Sequence, residues 1–311
     1  MLRLILDRGA AAIPPESMFL ADVAPARRAV DLADPAQAEQ LTQTVWSHPR
    51  VRLWGLSAER PAVPSGLTHD EAYRFVVTAP FAAYAALESK SRWGDKTPAY
   101  LSHVDELAEL WPEARFVILV RDGRDVALSV MRLPFGANNA WAAARSWKHA
   151  VRLGREAEQC HPERVLTVRY EDLAQDPETL VPRVCAFLAL DYGTQMLAIE
   201  RTDRAKIVQD QSGWFTNVWA GINTTAVGKW RREMTPGQLR TFERVAGEEL
   251  RELGYETVAG APSRPTPLAP PIYAAHDASM RAANFVRLRL VQERGREVRY
   301  VVRRKLARAW R

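Results

Sequence analysis

Apolar positions in this chain change period several times, and each change marks an element. Leu2, Ile5 and Leu6 share one face of a short helix over residues 1–9. Ile13-Pro14-Pro15-Glu16-Ser17 breaks that pattern and reads as a loop. Residues 36–90 alternate helical stretches with breakers, the clearest being Pro61 and Pro64-Ser65-Gly66. Tyr73, Val76, Val77, Phe81, Tyr84 and Leu87 recur at helical spacing and predict a helix over 69–89. Trp93 to Pro98 reads as a turn or loop, and 99–111 as a helix that stops at Trp111-Pro112.

Arg115 to Val120 is then a continuous run of β-formers, as expected of a strand buried on both faces of a parallel sheet. It ends at Arg121-Asp122-Gly123-Arg124, and a helix is predicted to begin near Asp125, a plausible N-cap. A long helix covers 138–159 with Trp141 and Trp147, a second strand covers 164–170, and a Pro-led helix covers 177–189. Another helix spans 236–253, with Pro236 near its start and Gly254 at its end. Strands alternating with helices predict an α/β fold, a three-layer parallel sheet flanked by helices. Pro262, Pro265, Pro267, Pro270 and Pro271 predict a stiff linker over 259–275. Beyond it, 276–311 reads as a basic amphipathic helix, apolar on one side through Phe285, Leu288, Val291, Val298, Val301, Val302 and Leu306. Residues 1–258 are read as one domain.

Composition alters this picture in two places. The 311 residues are 47% hydrophobic and 26% charged, which excludes wholesale disorder and disulfide-dense miniproteins. The net charge of +6 is uneven: residues 276–311 hold eleven Lys/Arg against three Asp/Glu, so the body is near neutral and the tail is basic. The two cysteines, Cys160 and Cys185, lie in no metal-binding spacing. No apolar run approaches the ~18 residues of a membrane span, and the first residues lack the long apolar core of a signal peptide. The expectation is a cytoplasmic protein, with the tail a candidate for peripheral membrane attachment.

Candidate chemistry gathers at the end of the first long strand. A strand, an Arg, a Gly-containing turn and a helix start place cations and free backbone N–H groups at the C-terminal edge of a sheet, where open α/β sheets bind ligands. A guanidinium from Arg121 and a hydroxyl from Ser129 can share one phosphate there. The competing reading is an Arg121–Asp125 salt bridge with Ser129 merely packing.

This motif resembles the 3′-phosphate-binding element of the sulfotransferase family, and four further segments are similar to family elements in order and spacing. They are Ile13-Pro14-Pro15-Glu16, Trp93-Gly94-Asp95-Lys96-Thr97-Pro98, Val168-Arg169-Tyr170-Glu171-Asp172-Leu173 and Val227-Gly228-Lys229-Trp230-Arg231. Together they span residues 1 to about 257. The resemblance implies a P-loop-NTPase-like fold and transfer of a sulfuryl group from 3′-phosphoadenosine 5′-phosphosulfate (PAPS) to a hydroxyl or amine, with no metal.

By the same resemblance Arg121 and Ser129 hold the 3′-phosphate and Tyr170 lies near the adenine, while Gly228, Trp230 and Arg231 close over the nucleotide. Glu16 is the candidate base and Lys96 the candidate cation for charge developing in the transition state. His103 is an alternative base. Against these stand a helix-capping Glu16, a surface Lys96–Asp95 ion pair and a packing His103. The family's late loop often opens with Arg-Lys-Gly where this chain has Asn223-Thr224-Thr225. Its first strand and Pro-(Lys/Arg)-Ser-Gly-Thr-Thr loop have no counterpart here, because the chain opens inside the helix that follows them. The favoured expectation is a natural start roughly 15–30 residues upstream, the length of a strand, loop and half-helix. The alternative is a non-catalytic binding protein on the same fold, or an anionic-polymer binder acting through the tail.

The acceptor is expected to be a small molecule, glycan or lipid, in a pocket built from 17–92 and 200–226, with Trp214, Phe215 and Trp219 as a candidate flat wall. An anionic membrane surface or an acidic carrier is the candidate partner of 276–311. No specific nucleic acid is expected.

Overall fold

The computed structural model describes residues 1–57, 59–133, 136–198, 222–258 and 269–291, the side chains of 269 and 285–291 excepted. In chain order the elements are α1 (Leu2–Asp7), β1 (Ala11–Ala12), α2 (Leu20–Val23), α3 (Ala26–Ala29), α4 (Pro35–Trp46), α5 (His69–Leu87), β2 (Arg92–Trp93), α6 (Val104–Leu110), β3 (Phe116–Val120), α7 (Gly123–Val130), α8 (Ala140–Cys160), β4 (Val165–Arg169), α9 (Tyr170–Gln175), α10 (Pro177–Phe187), α11 (Trp230–Glu233), α12 (Pro236–Glu252) and α13 (Ala269–Val291). Two compact units emerge. The first holds residues 1–119 and 156–224, the second 120–155 and 225–311.

The first unit is built round an aromatic centre. Phe19, Trp54, Phe81 and Tyr84 are buried together, and Phe81 stacks on Trp93 with ring centroids 4.6 Å apart. The apolar stripe that predicted a helix over 69–89 is the buried face of α5, which Thr68 and Glu71 start with a reciprocal capping box. Trp93, read from sequence as part of a turn, instead belongs to a two-residue strand: β2 pairs in parallel with β1, Ala12 facing Trp93. That pairing is too short to carry a sequence period. A second cluster, with Ile5, Leu173, Val181 and Val184 at its centre, packs α1 against α9 and α10.

β3 pairs with β4, the Phe116 amide donating to the Arg164 carbonyl at 2.7 Å. The expectation that this strand is buried on both faces fails in part. Phe116, Val117 and Ile118 are half-buried and Leu119 is exposed. Among the described residues β3 has one strand neighbour, β4. The predicted helix over 99–111 is a 3₁₀ turn, Pro98–His103, followed by α6. Arg164 collects the carbonyls that end α6, donating to Ala108, Trp111 and Ala114.

In the second unit α7, α8 and α12 share a core of Ala127, Ala144, Trp147, Trp230, Phe242, Ala246 and Leu250. Gly123 opens α7 because nothing larger fits: a Cβ there would stand 2.4 Å from Trp147 Cδ2 and 2.6 Å from Phe242 Cζ. The N-cap is Asp122, whose carboxylate accepts from the Arg124 amide, and not Asp125. α13 begins at Ala269, inside the stretch read as linker, since Pro270 and Pro271 fall in the first turn, where a missing N–H costs no helical bond. A mostly polar seam fastens it. Asp277 accepts from the Asn138 amide at 2.8 Å, Asn139 donates to the Tyr273 carbonyl, and Asn284 donates to Asn138. The remainder of the linker and residues 292–311 lie outside the described residues. No helix among the described residues is long and apolar enough to cross a membrane.

Candidate functional site

In the first unit the loop after β1 is held at several peptide groups. Asp7 accepts from the Ile13 amide at 2.8 Å, Arg3 donates twice to the Ile13 carbonyl, and the Trp54 indole donates to the Pro15 carbonyl at 3.1 Å. The loop after β2 lies beside it because β1 and β2 are paired. The Ser17 amide donates to Thr97 Oγ1 at 3.1 Å, Ser17 Oγ donates to Asp95 at 3.0 Å, and the Tyr100 hydroxyl meets Ser17 Oγ at 2.9 Å.

This bracing delivers Glu16 Oε1 to Lys96 Nζ at 2.5 Å. Both alternatives weighed from sequence fail. Lys96 pairs with Glu16 rather than Asp95, and α2, the helix after Glu16, has no side-chain cap. Glu16 is half-buried and Lys96 exposed, so the pair meets solvent on one side. His103 is not joined to it. Its Nδ1 lies 2.8 Å from Glu106 Oε2, in the wall of a groove of about 370 Å³ shared with Leu20, Ala24, Tyr73, Tyr100 and Leu110.

Sequence reasoning missed Ser17 and passed over Asp95 as a surface partner. Desolvation pushes the Asp95 carboxyl up to about 6, the Ser17 and Thr97 hydroxyls pulling it down and the Glu16 charge adding to the rise. The folded state therefore keeps a proton that the unfolded chain has lost between pH ~4 and ~6. Stability from this group is complete below that window and falls as pH rises through it, by on the order of 3 kcal/mol. In Asp95→Asn this slope should vanish. Urea unfolding of both proteins between pH 4 and 7 checks it, and parallel curves would refute the assignment.

The second unit holds the other cluster. Arg121, just past β3, donates through Nη2 to the Ala226 carbonyl, and its own carbonyl accepts from the Trp147 indole at 3.0 Å. The Arg121–Asp125 pair read as the competing explanation is present, but long, at 3.8 Å. Asp125 faces inward and takes the Gly228 amide at 2.7 Å and the Trp230 amide at 2.8 Å. Burial pushes its carboxyl up, by more than those two amides pull it down.

Arg124 is fully buried. It donates to Asp122 at 2.8 Å, to Glu243 at 2.7 Å and to the Glu256 carbonyl at 2.8 Å, and its guanidinium lies 3.6 Å over the Trp230 ring. Burial pulls its pKa down, but the bonds and charges of Asp122 and Glu243 outweigh this and hold it above its ordinary value. Arg231 also lies over the Trp230 indole, 4.6 Å from its centroid. Ser129 is exposed on the last turn of α7, and Arg231 is exposed beside Gly228. Tyr170 is half-buried at the first position of α9, in the first unit.

One feature of the second unit fits an anionic nucleotide. Gly228 has φ +69°, and a Cβ there would crowd Arg231 Nη1 at 3.1 Å, so this backbone stays bare next to a cation. Trp230 Nε1 is buried and meets no hydrogen-bond partner among the described residues. Trp214, Phe215 and Trp219 lie outside those residues. Among them no group of three or more His, Cys, Asp or Glu is placed to hold a metal.

Comparison with known proteins identifies the family and the fold. The profile described as "Sulfotransferase family" matches residues 1–194. A Caenorhabditis briggsae protein named as a candidate protein-tyrosine sulfotransferase is 28% identical over 209 residues, 64% of this chain and 73% of that protein. Nodulation protein NoeE of Sinorhizobium fredii (strain NBRC 101917 / NGR234) is 27% identical over 206 residues, 59% of this chain and 49% of that protein. The sulfotransferase domain of the Synechococcus PCC 7002 olefin synthase superposes with a TM-score of 0.52 at 22% identity, covering 82% of this chain and 90% of that one. The shared architecture is the P-loop-NTPase-like α/β fold.

Proposed function

The chain belongs to the sulfotransferase family, and from that premise we propose that it moves a sulfuryl group from PAPS to a hydroxyl or amine of an acceptor. The observation that carries this reading is the Glu16–Lys96 pair, two reactive side chains that the sequence separates by 80 positions and the fold sets 2.5 Å apart. When bound, PAPS supplies an electrophilic sulfuryl group and a nucleotide leaving group. Glu16 takes the acceptor proton at a carboxylate oxygen as the acceptor oxygen or nitrogen becomes nucleophilic. The Lys96 ammonium, oriented by Glu16 before any substrate arrives, is a fixed positive charge for oxygens that gain negative charge in the transition state.

Arg121, Ser129 and Arg231 are assigned to the 3′-phosphate, a guanidinium, a hydroxyl and a second guanidinium matching its oxygens. Gly228 lets backbone approach the nucleotide, and Trp230 is assigned to the loop that closes over it. Tyr170 is assigned to the adenine, for stacking. A relative's name points to tyrosine, so a phenolic hydroxyl is the first acceptor to try, followed by glycan, lipid and amine acceptors. The protein is assigned to the cytoplasm, and the basic charge of 276–311 to an anionic membrane surface or acidic carrier.

The test is thermal unfolding with 3′-phosphoadenosine 5′-phosphate (PAP), using AMP as control. A ligand at a hundred times its Kd adds ~2.7 kcal/mol to the native state. For a chain of this size that raises Tm by roughly 5 °C or more. The expected result is a rise with PAP and little with AMP. Equal shifts, or none, would overturn the assignment of Arg121, Ser129 and Arg231.

A further inference from the structure

We propose that Asp125 is a positioning residue for the donor site: its carboxylate clamps the backbone at Gly228 and Trp230 and thereby sets where Arg231 stands. This rests on the assignment of Arg121, Ser129 and Arg231 to the 3′-phosphate. Three observations carry it. The side chain of Asp125 is wholly shielded from solvent, and its two oxygens are divided between two amides, Oδ2 taking Gly228 and Oδ1 taking Trp230. Those amides flank Lys229 and open α11, where helix N–H groups have no carbonyl of their own. One carboxylate thus supplies the acceptors that the turn lacks and holds both ends of a dipeptide at once.

The second observation is that the same carboxylate faces Arg121. Arg121 Nη2 stands 3.8 Å from Asp125 Oδ2 and donates to the Ala226 carbonyl, two residues ahead of Gly228. Both guanidiniums assigned to the phosphate therefore answer to Asp125, Arg121 by charge and Arg231 through the chain. The third is the backbone itself. Gly228 at φ +69° turns the chain so that amides 228 and 230 point to one side, and the price of that turn is a side chain, since a Cβ would meet Arg231. Trp230, held by its amide, then has the guanidiniums of Arg124 and Arg231 over its ring, at 3.6 and 4.6 Å from its centroid.

Asp125→Asn separates positioning from bulk. It preserves volume but puts an NH₂ where one amide N–H needs an acceptor, so one end of the clamp opens. The 311-residue protein is titrated with PAP by calorimetry as wild type, Asp125→Asn, Arg231→Met and the double variant. The Asp125→Asn protein should bind PAP roughly tenfold to a hundredfold more weakly. In the Arg231→Met background the same change should cost less, because only the part that acts through Arg121 remains. A role in fold stability alone would give the same fold-loss in both backgrounds, and that result overturns the proposal, as does unchanged PAP affinity in Asp125→Asn.

Amide hydrogen exchange on the ligand-free protein provides the second reading. Gly228 and Trp230 should be protected in the wild type and exchange faster in Asp125→Asn. If the variant does not fold, the wild type still decides, since rapid exchange at both amides removes the clamp. If the wild type binds PAP no better than AMP, the phosphate assignment falls, whereas protected amides would show that the clamp itself stands.

Discussion

A Glu16→Gln protein should turn over 100- to 10,000-fold more slowly, the range a positioned general base contributes, while binding PAP as the wild type does. The argument is geometric. Glutamine preserves the length and shape of the side chain and can still accept a bond from Lys96, so the loops at 13–17 and 93–98 remain braced by Ser17, Asp95, Thr97 and Tyr100. What it loses is basicity. The residues assigned to the 3′-phosphate belong to the second compact unit and keep their surroundings. Release of PAP from PAPS, followed with a tyrosyl peptide and then with the other acceptor classes, measures kcat, and calorimetry measures affinity. A Glu16→Gln protein that keeps wild-type kcat would show that another group takes the proton, and His103 would be examined next.

Arg124→Met should lower stability by about 3–5 kcal/mol, the cost of removing one member of a buried ion cluster and leaving its partners charged. Asp122 and Glu243 both lie almost wholly out of solvent and both bind Arg124. Methionine fills much of the volume over the Trp230 ring but answers neither carboxylate. Against a typical total of 5–15 kcal/mol the loss is large enough to unfold part of the population at 37 °C. Urea denaturation at 25 °C reads it directly. Adding Glu243→Gln should recover part of the loss, because it removes one of the stranded charges, although the Val258 amide then keeps a weaker acceptor. A variant as stable as the wild type would mean that water reaches both carboxylates.

How much of this the sequence disclosed depends on the range of the interaction. The elements with a strong period, α5, α8, α10 and α12, stand where the apolar spacing put them. Glu16 and Lys96 could be named as chemistry from their motifs, but their meeting is a consequence of β1 pairing with β2, a contact of two residues each. Asp125 shows the opposite failure. A carboxylate at the start of a helix suggests a cap, which is a local role, and the cap is Asp122; Asp125 serves amides more than 100 positions away. A usable signal was present, since Asp122, Arg124 and Asp125 crowd the end of an apolar strand, where buried charge must find partners. Prolines 270 and 271 misled by the same locality. They break helices from within but not at the first turn, so α13 starts earlier than the linker reading allowed.

α13 illustrates what kind of attachment the seam at Asn138, Asn139, Asp277 and Asn284 makes. Each of its hydrogen bonds has a ready replacement in water, and among the described side chains the Trp141–Tyr273 stack is the apolar contact that accompanies them. In calorimetric terms such a joint is nearly silent, because heat capacity follows the apolar area that is wetted. The described stretch of the helix can thus be treated as a cassette: its seam is written in a few amides and one carboxylate, while the heat-capacity signature of the second unit is set by the apolar contacts of α7, α8 and α12.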